Sequence, residues 1–360
     1  MIRFDNVTKR FPDGTTAVDA LSLEIPHGEA VVLVGPSGCG KTTCLRMINR
    51  MIEPTSGRIL LDGRDVATVS PPQLRRGIGY VIQQVGLFPH RTIAGNIATV
   101  PELVGWDRRR TRRRVDELIA TVGLPAEVAE RYPHQLSGGQ RQRVGVARAL
   151  AADPPVMLLD EPFGAVDPIV RARLQEEFLR LQRTLHKTIV FVTHDIDEAI
   201  RMGDRIAIFS QAGVVQQYAP PRELLADPVN DFVADFLGDE RGLKRLALIP
   251  VSDVDAEPGP VVSSDDSAER AAEVARAHGT DWVVVVDDGR LRGWASLHEL
   301  SGPLRDATVR PFALRVNADD SLRTALNAMV TSHTGAAVRV SDGDRYEGII
   351  TQELVTKEIG

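Results

Sequence analysis

Cysteine is almost missing from this chain: Cys39 and Cys44 are the only two in 360 residues. Two cannot build a disulfide framework, and such usage suits a reducing compartment. Apolar runs are short as well. The longest, such as Trp282 to Val286, fall far below the roughly 18 residues of a bilayer-spanning helix, so the chain is not expected to cross a membrane by itself. The opening MIRFDNVTKRF places charges where a secretory signal needs a continuous apolar core, which argues against export. Nor is there a surplus of positive charge. The 43 basic residues are outnumbered by 49 acidic ones, a formal charge of -6, so no chain-wide basic surface is offered to nucleic acid, and an anion must be held locally. Low-complexity tracts are missing too, the 30 Gly and 22 Pro being dispersed. With 43% hydrophobic and 26% charged residues, wholesale disorder is excluded.

What is present, through the first two thirds, is alternation of strand-length apolar stretches with longer amphipathic segments. That is the pattern of an α/β fold, a largely parallel sheet covered by helices. The clearest buried strands are Ala30 to Val34, Val156 to Leu159, Thr188 to Val192 and Arg205 to Phe209. Between the second and third, Ile169, Leu174, Phe178, Leu181 and Leu185 recur at helical spacing and predict a crossover helix. Residues from about Val85 to Tyr132 read as helical; the run Arg108 to Arg114 within them reads as a solvated helix face, not a nucleic-acid contact. A helical subdomain is thus expected over about 85–150. After Gly238 the character changes, with charged Asp239 to Arg245 leading into the Asp- and Pro-containing Ser252 to Pro260. One domain is expected over 1–240, a linker over 241–250, and a second domain over 251–360.

The last third repeats itself. Asp265-Asp-Ser267 recurs as Asp319-Asp-Ser321, Thr280 as Thr334 and Asp288-Gly289 as Asp342-Gly343, all offset by 54. One extra residue in the second turn then aligns Gly293-Trp-Ala-Ser296 with Gly348-Ile-Ile-Thr351. Each copy, about 251–303 and 304–360, predicts a helix capped by Asp266 or Asp320 and stopped near Gly279 or Gly335. A hairpin turning at Asp-Gly and a further short helix follow, an α+β unit.

The chemistry is concentrated in the first domain. Directly after the strand Ala30 to Val34 stand Gly35, Pro36, Ser37, Gly38, Cys39, Gly40, Lys41 and Thr42, with Thr43 next. This fits G-x-x-x-x-G-K-[ST] between strand and helix. Glycines let backbone amides converge on a polyphosphate, and the helix N-terminus adds partial positive charge. Lys41 reaches the terminal phosphates, and the Thr42 hydroxyl suits Mg²⁺. A second piece is the apolar strand ending in Asp160 and Glu161; in a parallel sheet both carboxylates arrive in the ligand crevice. Asp160 is placed to hold Mg²⁺ through its water shell, and Glu161 to accept a proton from attacking water. A third piece, Leu136, Ser137, Gly138, Gly139 and Gln140, opens another helix with phosphate-binding character. One lysine-bearing loop therefore faces two candidate anion cradles.

With these motifs in view, the sequence resembles the ATPase subunits of ATP-binding-cassette transporters. The resemblance implies an ATP-hydrolysing P-loop domain whose two copies dimerise head to tail, each lending its Leu136–Gln140 segment to the ATP bound on its partner's Lys41. It further implies that Phe11 stacks on adenine and that Gln83 contacts metal and attacking water. Asp167 would communicate across the dimer, and His194 would touch the γ-phosphate. The helical subdomain would receive short helices from a separate membrane permease, placing the chain peripherally on the cytoplasmic face of the cell membrane.

The repeat resembles a tandem of cystathionine-β-synthase (CBS) modules, small paired units that often sense adenine-containing ligands. A cassette followed by such a tandem is similar to subunits of importers for glycine betaine, carnitine, choline or proline, served also by an extracytoplasmic solute-binding protein. In the tandem, Ser296 is followed three positions on by Glu299, suited to ribose hydroxyls, but Thr351 by Leu354. Sensing of an adenine nucleotide or of ionic strength is the corresponding expectation. Aromatics make up only 5% of the chain, too few to cage a quaternary ammonium here, so solute choice is assigned to the other subunits. An importer of another small solute, or a non-transport cassette ATPase, are the competing readings.

Overall fold

Along the first part of the chain the elements are β1 (Ile2–Arg10), β2 (Thr16–Ile25), β3 (Ala30–Val34), α1 (Lys41–Ile48), β4 (Ser56–Leu61), β5 (Arg64–Asp65), α2 (Pro71–Arg76) and β6 (Ile78–Val81). Then come α3 (Ile93–Leu103), α4 (Arg108–Thr121), α5 (Gly138–Leu150), β7 (Val156–Asp160), α6 (Pro168–Leu185), β8 (Thr188–Thr193), α7 (Ile196–Met202), β9 (Arg205–Phe209), β10 (Val215–Ala219), α8 (Pro221–Ala226) and α9 (Asp231–Leu237). This computed structural model describes every residue except 83–85, 165–166, 301 and 359–360, and the side chains of 168–170, 181, 184 and 185 are likewise left aside. The chain divides into two units, Met1–Leu237 and Gly238–Gly360.

Two sheets build the first unit. An antiparallel sheet runs β2-β1-β4-β5, and a six-stranded sheet runs β10-β9-β3-β8-β7-β6. In the second sheet β9, β3, β8, β7 and β6 are parallel, and only β10 runs the other way. Every residue of β3, β7 and β8 is buried, as strands covered on both faces require. The pairing Val34 with Thr193 and Asp160 with Val192 ends β3, β8 and β7 at one level. Three adjacent strands therefore deliver their C-terminal residues to one edge. The crossover helix forms as α6; its Leu174 and Phe178 are buried, and Phe178 stands edge-on to Phe163 at 6.4 Å. The helical stretch is α3, α4 and α5, with short 3-10 turns between α4 and α5 and the Arg-rich N-terminal half of α4 largely exposed.

The second unit comprises α10 (Arg241–Leu246), β11 (Val261–Val262), α11 (Ala268–Ala277), β12 (Trp282–Asp287), β13 (Arg290–Ser296), β14 (Arg315–Val316), α12 (Leu322–Thr331), β15 (Ala337–Ser341), β16 (Arg345–Ile350) and α13 (Gln352–Lys357). Residues 241–250, expected as a linker, instead contain α10, and Leu246 and Ile249 pack into this unit's core. Charge misled that reading, because the helix hides only its last apolar residue. The two copies join into one sheet, β11-β12-β13-β16-β15-β14, and exchange their leading segments. Val251 N donates to Asp320 O and Glu257 N to Ile349 O, while Leu304 N donates to Asp266 O and Arg310 N to Trp294 O. The helix caps also differ from expectation. Ser267 and Ser321 accept from the amides of Arg270 and Thr324, whereas Asp266 and Asp320 turn back to the amides of Ser263 and Asn317. Either residue type can cap, and the one nearer the helix does.

Candidate active site

The loop after β3 is shaped by two glycines for which no other residue fits. A Cβ on Gly35 would lie 2.3 Å from Phe209 O, and one on Gly40 2.1 Å from Ala17 O. Gly40 is also left-handed, φ 101, and heads α1 with no side-chain cap. The first amides of that helix are therefore left for a partner from outside the helix. Lys41 is 5% exposed and folds back over the loop, donating to Gly35 O at 2.7 Å and Pro36 O at 2.8 Å. Ser37 and Gly38 stay exposed, Cys39 is buried, and Pro36, Thr42 and Thr43 are half-buried.

Beside the loop, the Thr42 hydroxyl donates to Asp160 Oδ1 at 2.8 Å. Burial pushes the Asp160 carboxyl up from the ordinary range, against the Thr42 bond and the neighbouring Arg46 and Lys41, while Glu161 adds to the rise. The two oxygens of Thr42 and Asp160 form a hard donor set suited to a divalent cation. Among the described residues no group of three or more His, Cys, Asp or Glu forms a metal cage. Glu161 sits at φ 45, a strained conformation for a non-glycine residue, with its amide bonded to Val192 O at 2.9 Å. Its Oε1 lies 3.2 Å from His194 Nδ1.

Lys41, Thr42, Asp160, Glu161 and His194 are thus gathered at the ends of β3, β7 and β8. Arg46, one turn along α1 from Thr42, was not anticipated. With Thr42, Met51, Ile52, Tyr80, Ile82 and Asp160 it lines a cleft of about 580 Å³. In that cleft burial, reinforced by Asp160, pushes the Tyr80 hydroxyl up to about 12. The i, i+4 spacing from Thr42 could have revealed Arg46.

Other expected residues stand apart. Ser137 is the N-cap of α5: its hydroxyl accepts from Gln140 N at 3.3 Å, and Gln140 Oε1 accepts from Ser137 N at 3.0 Å. Leu136 is buried, while Ser137 and Gly138 are exposed and Gly139 and Gln140 half-buried. Phe11 lies in the β1–β2 turn, half-buried, with Lys9 Nζ 5.4 Å from its ring centre. Asp167 is exposed, directly before α6, and its carbonyl accepts from Arg171 N. Gln83, expected to touch metal and water, falls outside the described residues.

A family model described as ABC transporter matches residues 18–164, and one described as CBS domain matches 251–306 and 304–360. Over 99% of its length the chain is similar to the osmoprotectant import ATP-binding protein OsmV of Salmonella typhimurium, with 47% identity over 95% of that protein. It is similar also to the glycine betaine/carnitine/choline transport ATP-binding protein OpuCA of Bacillus subtilis, at 48% identity over 98% of this chain and 94% of the relative. Among solved structures, the dimeric post-hydrolysis state of the ATP-binding cassette MJ0796 bound to ADP and Pi matches with a TM-score of 0.56 at 34% identity. It covers 61% of this chain and 98% of that one.

Proposed function

The chain belongs to the ABC-transporter ATP-binding subunits, among those of osmoprotectant and glycine betaine/carnitine importers, and from that premise we propose how its residues divide the work. The chain is an ATPase, and its partner is a membrane permease. The observation that carries the assignment is the meeting of the Lys41 loop, Asp160–Glu161 and His194 at neighbouring strand ends, with Glu161 and His194 3.2 Å apart. Lys41 and the loop amides hold the phosphates of ATP, and Phe11 supports adenine. Thr42 and Asp160, with Gln83, would hold Mg²⁺, which would supply neutralisation of phosphate charge when bound. Glu161 takes a proton from the attacking water, and His194 steadies the γ-phosphate. Asp167 and the Leu136–Gln140 segment act across a homodimer, each signature segment closing over the nucleotide on its partner.

Glu161→Gln keeps the shape of this side chain and removes its basicity. ATP affinity is expected to be kept while steady-state hydrolysis falls about 10²- to 10⁴-fold; unchanged turnover would take Glu161 out of that role. The solute proposed is a compatible solute, namely glycine betaine, carnitine, choline or proline, delivered by an extracytoplasmic binding protein, with the ATPase on the cytoplasmic face. None of the described helices is long and apolar enough to cross a membrane, which fits peripheral attachment. For the tandem we propose regulation by an adenine nucleotide or ionic strength through the first copy. There Glu299 holds Arg310 Nη2 at 2.7 Å, while the second copy has Leu354 at that position. Proteoliposomes carrying the cognate permease test both ideas: ATPase should rise with one of these solutes and respond to salt or added nucleotide. A flat response to every solute would redirect the substrate assignment, and insensitivity to salt and nucleotide would leave the tandem a packing module.

A further inference from the structure

Behind the His194 turn lies a buried carboxylate that none of these roles uses. Glu198, on α7, is 7% exposed. Its backbone amide, with that of Asp197, is capped by Asp195 Oδ1 at 3.1 and 2.9 Å. A glutamate in a first helical turn normally serves the helix while remaining in water. This one turns inward. Its Oε1 accepts from Gln175 Nε2 at 3.0 Å, and the neighbouring Thr193 hydroxyl favours its charged form. Thr193 Oγ1 in turn accepts from Asp195 N at 3.1 Å. Gln175, 6% exposed on α6, accepts from Arg201 Nη1 at 3.2 Å, and Arg201 reaches Glu176 at 3.3 Å. Burial pushes the Glu198 carboxyl up, while Thr193 and the bond from Gln175 oppose that rise.

Desolvating a carboxylate is costly unless its oxygens are satisfied, and helix capping alone would not call for it. What burial adds is a tie between α7 and α6, beside the end of β8. Thr193 ends β8 immediately before His194, Glu198 begins α7 four residues beyond His194, and Gln175 belongs to α6, which starts directly after Asp167. We infer that Glu198 is a positioning residue for hydrolysis: by binding Gln175 from the first turn of α7 it fixes the turn that carries His194 against α6. This rests on the reading of His194 given above. The position of α6 is thereby passed to the histidine through one buried hydrogen bond.

The test is a double-mutant cycle on the full-length chain, read by single-turnover hydrolysis and by the equilibrium dissociation constant for ATP. Glu198→Ala should slow hydrolysis about tenfold, mid-range for one lost supporting contact, with ATP affinity kept. Glu198→Gln can still accept from Gln175 through its amide oxygen, so it should recover most of that loss. In a His194→Ala background, Glu198→Ala should have no further effect. Equal losses in both backgrounds, or a loss confined to ATP affinity, would overturn the inference. A wild-type rate for His194→Ala itself would instead overturn the earlier reading of the histidine. Should Glu198→Ala fail to fold, Gln175→Ala takes its place in the same cycle, with the same outcomes deciding.

Discussion

Helices α1 and α5 both begin at glycine-bearing turns suited to phosphate, yet their first turns are finished in opposite ways. At α1 the cap is Gly40, which offers no side chain, and the adjacent Lys41 is buried over the loop carbonyls. At α5 the cap is Ser137, locked with Gln140 in a reciprocal pair of hydrogen bonds, and no lysine stands beside it. The first helix has no side-chain cap; the second carries its own. A phosphate arriving at α5 meets a turn whose serine and glutamine are already engaged with each other. The contrast suits a primary site that holds nucleotide in a single subunit and a secondary one that engages only on dimer closure.

The sharpest way to break that contrast is at Lys41. Lys41→Ala should weaken ATP binding about 10- to 100-fold, the worth of its charge-assisted bonds, by equilibrium titration with a labelled nucleotide. A loss under threefold would mean that the α1 amides carry the phosphates unaided. Next in size is complementation. Lys41→Ala and Ser137→Ala homodimers should each hydrolyse poorly, and mixing the two should restore activity, because one hybrid site regains both an intact lysine and an intact serine. No restoration would place both cradles within one chain. Smallest is the effect on folding: Ser137→Ala should cost about 1 kcal/mol through loss of the cap, by denaturant unfolding, with ATP affinity of the isolated subunit unchanged. A drop in that affinity would erase the distinction between the two helices.

The parts of the fold that were legible in the sequence are those where burial is two-sided or turns are chemically marked. The apolar runs of β3, β7, β8 and β9 read directly, because a central parallel strand tolerates little else. The repeat offset read equally well, since Asp-Gly turns keep their spacing. In the first copy Asp288 and Gly289 are left-handed; the extra residue of the second moves those conformations to Gly343 and Asp344. Less legible were choices between neighbours of similar chemistry, as at Asp266 and Ser267. The segment 241–250 hid a helix because α10 shows charge on nearly every face. At the site, the loop and the two carboxylates were foreseeable from spacing. The inward turn of Glu198 was not, because Gln175 stands 23 residues away and only the sheet order brings α6 and α7 together.

The reciprocal exchange of leading segments in the C-terminal tandem has a consequence for how such a unit can be built or dismantled. Trp282, Val284 and Trp294 of one copy share a core with Ala336, Val338 and Ile349 of the other, and Leu304, which opens the second copy, completes a wall of the first. Neither half owns a finished interior. A gene fragment encoding the first copy alone would yield a chain with two indoles, Trp282 and Trp294, stripped of their cover and an unclosed flank, obliged to borrow the missing half from another molecule. The shared interior makes the two copies one folding unit.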